Sequence, residues 1–207
     1  MISNNTIYIV RHGETEHNIN GMAQGHTDSP LTPDGIKQAT DLSFMFKEIP
    51  FDMAFASDLS RAYKTAEIIL SERDLKVITS ELLRERNYGI YDGRPARLFK
   101  EENMEMFELL KKLPRKEKRK IKFAPSIESD EEIINRLITF LNKINEDHTD
   151  KTILITTHGG IMRAFLNHLD WNGEEDLKAG AIKNTGYIKL KMEGDNFLIE
   201  DVVGVER

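Results

Sequence analysis

Two histidines of this 207-residue chain each lie between a short apolar run and a glycine. His12 follows the run at residues 6–10 in the segment IYIVRHG, and His158 follows the run at residues 152–156 in ILITTHGG. Both runs predict buried strands, and ligand crevices in open α/β sheets lie beyond the carboxyl ends of the strands. Gly13 permits a close backbone approach or a positive φ beside the first histidine. We therefore expect both imidazoles at one sheet edge, in a functional site.

Arginines near the predicted strand ends indicate what chemistry this pair could perform. Arg11, Arg61 and Arg163 would place fixed positive charge beside a bound metal cation, which disfavours a metal site. Guanidinium groups match tetrahedral oxyanions through their forked donors, so the expected ligand is an anion, most simply phosphate. A neutral imidazole can attack phosphorus in line. The leaving oxygen then needs an acid, for which a carboxyl group with a raised pKa is suitable.

The elements that would position these residues belong to an α/β fold. Short apolar runs alternate with longer segments of helical period, which predicts a largely parallel sheet covered by helices. One helix is expected to begin at Pro33 after the N-cap Thr32, and another after a capping box of Ser129 and Glu132. Six strands are predicted, at residues 6–10, 53–56, 75–79, 152–156, 187–190 and 197–203.

The length of the chain favours one domain, because 207 residues lie near the upper limit of what a single core supports. The segment at about residues 94–128 breaks the alternation and predicts an insertion, or lid, over one end of the sheet. Within it, residues 111–122 hold eight basic side chains and one acidic side chain. Two interpretations stay open: a solvated surface segment or a basic flap that steers an anionic substrate.

Composition excludes several classes of function. The absence of cysteine removes disulfides, thiolate nucleophiles, iron–sulfur clusters and cysteine-ligated zinc. A formal net charge of −6 argues against a nucleic-acid partner. No apolar run is long enough for a membrane span or a leader peptide, so we expect no membrane partner and a cytoplasmic monomer or homodimer. No P-loop, dinucleotide-binding or serine-hydrolase motif is present.

Four sequence blocks, in order, resemble the histidine phosphatase superfamily, specifically the branch with cofactor-dependent phosphoglycerate mutases and small-molecule phosphatases. They are IVRHGETEHN at residues 9–18, SDLSRA at 57–62, LRE at 83–85 and THGG at 157–160. The resemblance extends through most of the chain. It implies a three-layer sandwich in which a mostly parallel six-stranded sheet is flanked by helices. It also implies a small phosphorylated substrate, no cofactor and no metal.

The same resemblance implies a role for each matching position. His12 would be the nucleophile that becomes phosphohistidine, and Arg11, Arg61 and His158 would surround the transferred phosphoryl group. Glu85 would protonate the leaving oxygen and later activate water. Phosphate or substrate would also be bound by Asn18, Gln24, Gly25 and Gly159.

Simpler interpretations compete with some of these roles. Arg61 could pair with Asp58 at a helix surface. Glu85 lies between Arg84 and Arg86, which would lower its pKa if both guanidiniums were close, and Asp58 would then be the substitute acid. The other residues with an alternative or structural interpretation are Asn18 as a helix cap, His17, His148 and His168 as structural or solvent-facing, and His26 as structural or in contact with substrate.

A phosphohistidine can be hydrolysed, or it can return its phosphoryl group to the substrate. A mutase must exclude water, and in the resembling mutases a long insertion and a C-terminal tail cover the site. The insertion here is shorter and few residues follow Val203, so we predict a metal-independent phosphomonoester phosphatase. The alternatives are a phosphoglycerate mutase and a non-catalytic phosphate-binding or interaction protein on the same fold.

Overall fold

The computed structural model describes residues 4–173, 175–194 and 196–206. The strands are β1 (Asn4–Arg11), β2 (Met53–Ser57), β3 (Val77–Ser80), β4 (Thr152–Thr157), β5 (Ile182–Glu193) and β6 (Asn196–Val205). The helices are α1 (Glu16–Ile19), α2 (Pro33–Met45), α3 (Ser60–Ile69), α4 (Ala96–Glu102), α5 (Met104–Lys111), α6 (Arg115–Lys118), α7 (Asp130–Asp147) and α8 (Gly159–His168). Two 3₁₀ helices, Glu81–Leu83 and Gly89–Tyr91, follow β3. The predicted α/β class and six-stranded sheet are confirmed.

The order of the strands brings distant parts of the chain together. Across the sheet the order is β3-β2-β4-β1-β5-β6. The strands β3, β2, β4 and β1 run parallel to one another. β5 runs antiparallel to β1, and β6 runs antiparallel to β5. β1 and β4 pair directly, with Arg11 opposite Thr157. His12 and His158 therefore leave the sheet side by side at its carboxyl edge.

Helices cover both faces of the sheet, as expected for a three-layer sandwich. Side chains alternate between the two faces along a strand. Ile7 and Ile9 of β1 consequently pack in the core with α7 and α8, while Tyr8 and Val10 pack in the core with α2 and α3. Burial of both faces explains why β1 reads as a continuous apolar run.

The ends of the elements follow the prediction closely in the helices and less closely in two strands. The helix starts at Pro33 and after Ser129 are confirmed. β3 begins at Val77, two residues later than predicted. β5 begins at Ile182, five residues earlier, because its first part is irregular: the register against β6 shifts there, and Thr185 has φ 56°. Apolar alternation is consequently absent from that part of the sequence.

The predicted insertion at about residues 94–128 contains α4, α5 and α6 with their connections. An aromatic cluster holds it together, in which the ring of Phe123 lies 4.8 Å from both Phe99 and Phe107. Tyr91 adds a further edge contact to Phe99 at 5.1 Å. All three phenylalanines line the cavity that also contains His12, so the insertion covers the carboxyl edge of the sheet. Within the described ranges, no helix is both long and apolar enough to cross a membrane.

Candidate active site

The two histidines lie side by side in the interior. Their ring centroids are 5.2 Å apart, with an interplanar angle of 62°. His12 is 3% exposed and lines the cavity under the insertion, whereas His158 is fully buried beside it and is not part of the cavity wall. Gly13 has no positive φ, and its role is close approach: a Cβ there would lie 2.5 Å from the Gly35 carbonyl oxygen.

A backbone contact fixes the tautomer of His12. Its Nδ1 lies 2.7 Å from the Gly13 carbonyl oxygen, which can only accept, so Nδ1 carries the hydrogen. Burial, reinforced by the charges of Arg61 and Arg11, holds the pKa of His12 well below its ordinary value of 6.5. The ring is therefore neutral near pH 7, and its Nε2 has a lone pair available for attack.

His158 has the complementary arrangement. Its Nδ1 accepts a hydrogen bond from Nε of Arg61 at 3.2 Å, which places the ring hydrogen on Nε2. That Nε2 is buried and has no hydrogen-bond partner among the described residues. Burial, followed by the charge of Arg61, holds the pKa of His158 well below 6.5. The ring is thus a neutral donor with one unused N–H, which suits contact with an oxyanion.

Arg11 lies at the end of β1, next to the start of α8. Its Nη1 donates to the Ile182 carbonyl oxygen at 2.5 Å, and its Nε is buried without a hydrogen-bond partner in the described part of the chain. A Cβ at Gly159, the first residue of α8, would approach that Nε to 3.1 Å. The guanidinium and the positive end of an α-helix thus meet at one point, which favours an anion there.

Arg61 is the second residue of α3, and its side chain is fully buried. Besides Nε on His158, it donates from Nη2 to the Gly25 carbonyl oxygen at 2.8 Å and from Nη1 to the Thr27 carbonyl oxygen at 2.7 Å. Arg61 therefore fixes the loop that contains the predicted substrate-binding residues. Its carboxylate partner is Asp28, at 3.4 Å, so the alternative pairing with Asp58 is wrong.

Glu85 is bound by backbone donors of two segments. Its Oε2 accepts from the Gly160 N–H at 2.8 Å, and its Oε1 accepts from the Arg86 N–H at 2.7 Å. A Cβ at Gly160 would come within 2.4 Å of the carboxylate, so this close contact requires glycine. The carboxyl group thus reaches the first turn of α8 and lines the same cavity as His12.

The two arginines that flank Glu85 bind other carboxylates. Arg84 donates to both oxygens of Asp58, at 2.8 and 2.5 Å, and Arg86 contacts Asp130. The hydrogen bond from Arg84 also lowers the pKa of Asp58, which makes Asp58 a poor proton donor. Asp58 does not line the cavity, which argues against it as the substitute acid.

The predicted substrate-side residues Asn18, Gln24, Gly25 and Gly159 all line the cavity. Asn18 also completes the capping box of α1, because its Oδ1 accepts from the Thr15 N–H at 3.2 Å. The cap and cavity interpretations of Asn18 are therefore compatible. A residue that the sequence did not indicate, Asn184, donates to the His12 carbonyl oxygen at 3.0 Å and to Asn18 Oδ1 at 3.2 Å. It lies in the irregular part of β5, where no motif marks it.

The cavity has a volume of about 930 Å³ and a strongly cationic wall. Among the described residues, seven arginines and three lysines line it, against three carboxylates. The basic run of the insertion is divided: Arg115, Lys118 and Arg119 line the cavity, whereas Lys116 and Lys120 are exposed outside it. The run thus has a part that faces the cavity and a part that faces solvent, and steering of an anionic substrate stays a prediction. No group of three or more His, Asp or Glu side chains in the described ranges is placed to hold a metal ion.

The lowered pKa values of the paired histidines predict a stability that falls on acidification. An unfolded chain takes up protons on both rings below about pH 6.5, while the folded chain resists doing so. The free energy of unfolding should then decrease by about 1.4 kcal/mol per pH unit for each such ring as the pH falls below 6.5. Urea unfolding between pH 5 and 8 measures this, with His158→Gln as the comparison. A difference in stability between the two proteins that does not change with pH would contradict it.

The fold and the site define a class of protein: an α/β protein whose paired histidines and arginines lie at the carboxyl edge of the sheet, beside a cationic cavity. The model of the histidine phosphatase superfamily (branch 1) matches residues 7–203. The chain belongs to this superfamily.

The proteins to which this chain is similar are named as phosphatases and as a phosphoglycerate mutase. The chain is 34% identical to a putative phosphoserine phosphatase 2 of Hydrogenobacter thermophilus, over 91% of this chain and 90% of that one. It is 30% identical to an uncharacterized phosphatase, PhoE, of Bacillus subtilis, over 94% and 92% of the two chains. Among solved structures, a phosphoglycerate mutase from Bacillus anthracis has a TM-score of 0.85 at 28% identity and covers 99% and 94%. These relationships support phosphoric monoester hydrolase activity.

Proposed function

We propose that the protein is a metal-independent phosphomonoester phosphatase that acts on a small phosphorylated metabolite through a phosphohistidine at His12. One observation carries the proposal. His12 is held as a neutral ring with Nε2 free for attack, and unused donors on Arg11 and His158 lie next to it. Phosphoryl transfer to a side chain requires a neutral nucleophile and preorganised hydrogen-bond donors for the oxyanion.

Two steps follow from this arrangement. The lone pair of His12 Nε2 attacks phosphorus, an N–P bond forms, the ester P–O bond breaks, and the departing oxygen takes the proton of Glu85. Water then attacks the phosphohistidine while the Glu85 carboxylate accepts its proton. The N–P bond breaks, the electron pair returns to His12, and inorganic phosphate leaves. Arg11 and Arg61 neutralise the charge of the phosphoryl oxygens in both steps, and the neutral ring of His158 donates a hydrogen bond to them.

The size and charge of the cavity support a small anionic metabolite as substrate. Its cationic wall attracts anions, and the aromatic rings of the insertion provide apolar contacts for a leaving group. A phosphoglycerate mutase is the second candidate, favoured by the likeness to the Bacillus anthracis structure. The two activities share the first step and differ in whether water or an alcohol receives the phosphoryl group.

The experiment combines rapid quench with product analysis in the presence of EDTA. With phosphomonoesters such as 3-phosphoglycerate, we expect release of inorganic phosphate and a transient acid-labile phosphate on the peptide that contains His12. Isomerisation to 2-phosphoglycerate without phosphate release would identify a mutase. Hydrolysis without an adduct, hydrolysis abolished by EDTA, or phosphate-ester binding with no reaction would each overturn the proposal.

A further inference from the structure

Glu85 lies on a segment between the two 3₁₀ helices, outside any strand or α-helix. The four backbone carbonyl groups of residues 82–85 all accept hydrogen bonds from side chains of other parts of the fold. The segment is also held by the Arg84 N–H, which donates to the Glu81 carbonyl oxygen, and by the buried side chain of Leu83. Because Glu85 itself lies outside any helix or strand, the side-chain donors help to determine where its backbone lies. The position of the Glu85 carboxyl group therefore depends on residues outside the cavity.

Arg136 of α7 binds three of these four carbonyl oxygens. Its Nη1 donates to Leu82 at 2.9 Å and to Arg84 at 3.1 Å, and its Nη2 donates to Glu85 at 3.3 Å. Thr157 of β4 binds the remaining one, on Leu83, at 2.7 Å. Arg136 does not line the cavity, so it acts on the site only through this segment.

A bidentate ion pair orients the Arg136 guanidinium. Its Nε and Nη2 donate to the two carboxylate oxygens of Glu128, at 2.8 and 2.9 Å. Glu128 also accepts from the Asn87 N–H at 2.9 Å, and its own N–H donates to the Asn87 carbonyl oxygen at 3.1 Å. The pair thus holds the chain on both sides of Glu85. Planar two-point contact of this kind restricts orientation as well as distance.

We infer that Arg136 and Glu128 are positioning residues that hold the Glu85 carboxyl group at the leaving oxygen of the substrate. This rests on the proposed role of Glu85 as the acid. Proton transfer requires heavy atoms within about 2.6–3.2 Å, and a misplacement of about 1 Å can cost on the order of 10² in rate. The Glu85 carbonyl oxygen is bound by Arg136 at 3.3 Å and contacted by His26 Nε2 at 3.0 Å, so loss of the Arg136 guanidinium leaves the acid less precisely placed.

The test uses Arg136→Gln and substrates that differ in how much acid assistance they need. For an alkyl phosphate, whose alkoxide is a poor leaving group, the single-turnover rate of phosphoenzyme formation should fall by about 10- to 100-fold. For 4-nitrophenyl phosphate, whose anion leaves without protonation, it should fall by less than about 3-fold, with KM nearly unchanged. Arg136→Lys keeps the charge but loses the planar fork. Its single-turnover rate with the alkyl phosphate should lie between the rates of Arg136→Gln and the wild type.

The matched control is Arg73→Gln. Arg73 also binds three backbone carbonyl oxygens, those of Phe46, Lys47 and Ile49, and it does not line the cavity. This variant should lose stability and keep the wild-type ratio of rates for the two substrates. Equal losses on both substrates in Arg136→Gln, or a changed ratio in the control, would overturn the inference. If Arg136→Gln does not fold, the ratio measured with Arg136→Lys decides.

A double variant separates this inference from the proposed function. In a Glu85→Gln background, Arg136→Gln should cause little further change in the ratio of rates, because the acid it positions is already absent. If Glu85→Gln alone leaves the ratio unchanged, Glu85 is not the acid and the proposed role fails. If Glu85→Gln changes the ratio and Arg136→Gln does not, only the positioning inference fails.

Discussion

Replacing His12 with alanine is expected to abolish turnover, with a loss of about 10⁴-fold or more in kcat. The variant removes the only atom that this mechanism uses to bond phosphorus, and neighbouring rings cannot replace it. His158 uses its Nδ1 to accept from Arg61, and its Nε2 carries the hydrogen. Initial rates of phosphate release with several phosphomonoesters, together with the trapped phosphoenzyme, measure the effect.

A nearby histidine provides the control for this variant. His17, on α1, does not line the cavity, and His17→Gln should retain most of the activity. Binding of inorganic phosphate separates loss of chemistry from loss of the site, because Arg11, Arg61 and His158 remain in His12→Ala. If His12→Ala still binds inorganic phosphate but does not turn over substrate, the result supports His12 as the nucleophile. Substantial turnover by His12→Ala would contradict a phosphohistidine at this position.

The sequence could indicate those residues of the site that lie in a recognisable local motif. Arg11, His12 and His158 follow apolar runs that predict strands, and each lies in a motif that identifies it without knowledge of the fold. Their proximity follows from the parallel pairing of β1 with β4, which are separated by more than half of the chain. The approximate position of each strand could be predicted from the sequence, whereas the order of the strands in the sheet is known from the structure alone.

Residues whose contribution depends on long-range partners were not predicted. Asn184 and Arg136 lie in segments with no chemical motif, and their contacts join parts of the chain that only the fold brings together. The same reason explains the incorrect pairing of Arg61 with Asp58. Proximity in sequence suggested it, whereas in the fold Asp58 is bound by Arg84, 26 residues away. The insertion's basic run was ambiguous because helix α6 places neighbouring cations on different sides.

Replacing Glu85 with glutamine should lower the rate of phosphoenzyme formation by about 10² to 10⁴ for substrates with poor leaving groups. Glutamine keeps the size of the side chain, and its oxygen can still accept from one of the two backbone donors that bind Glu85. It cannot donate a proton to the departing oxygen. The loss should therefore be much smaller for 4-nitrophenyl phosphate, whose leaving anion is stable, and rapid-quench measurements with both substrates reveal the contrast.

Asp58→Asn is the control for this last prediction, because it alters the only other carboxyl group considered as the acid. Asp58 binds Arg84 outside the cavity, so its loss should reduce the rate by less than about 10-fold and equally for both substrates. If the rate loss depended more strongly on the leaving group in Asp58→Asn than in Glu85→Gln, the role of acid would be transferred to Asp58. Undiminished activity of Glu85→Gln on every substrate would remove Glu85 from the mechanism. The two backbone hydrogen bonds to its carboxylate would then serve only to hold the first turn of α8.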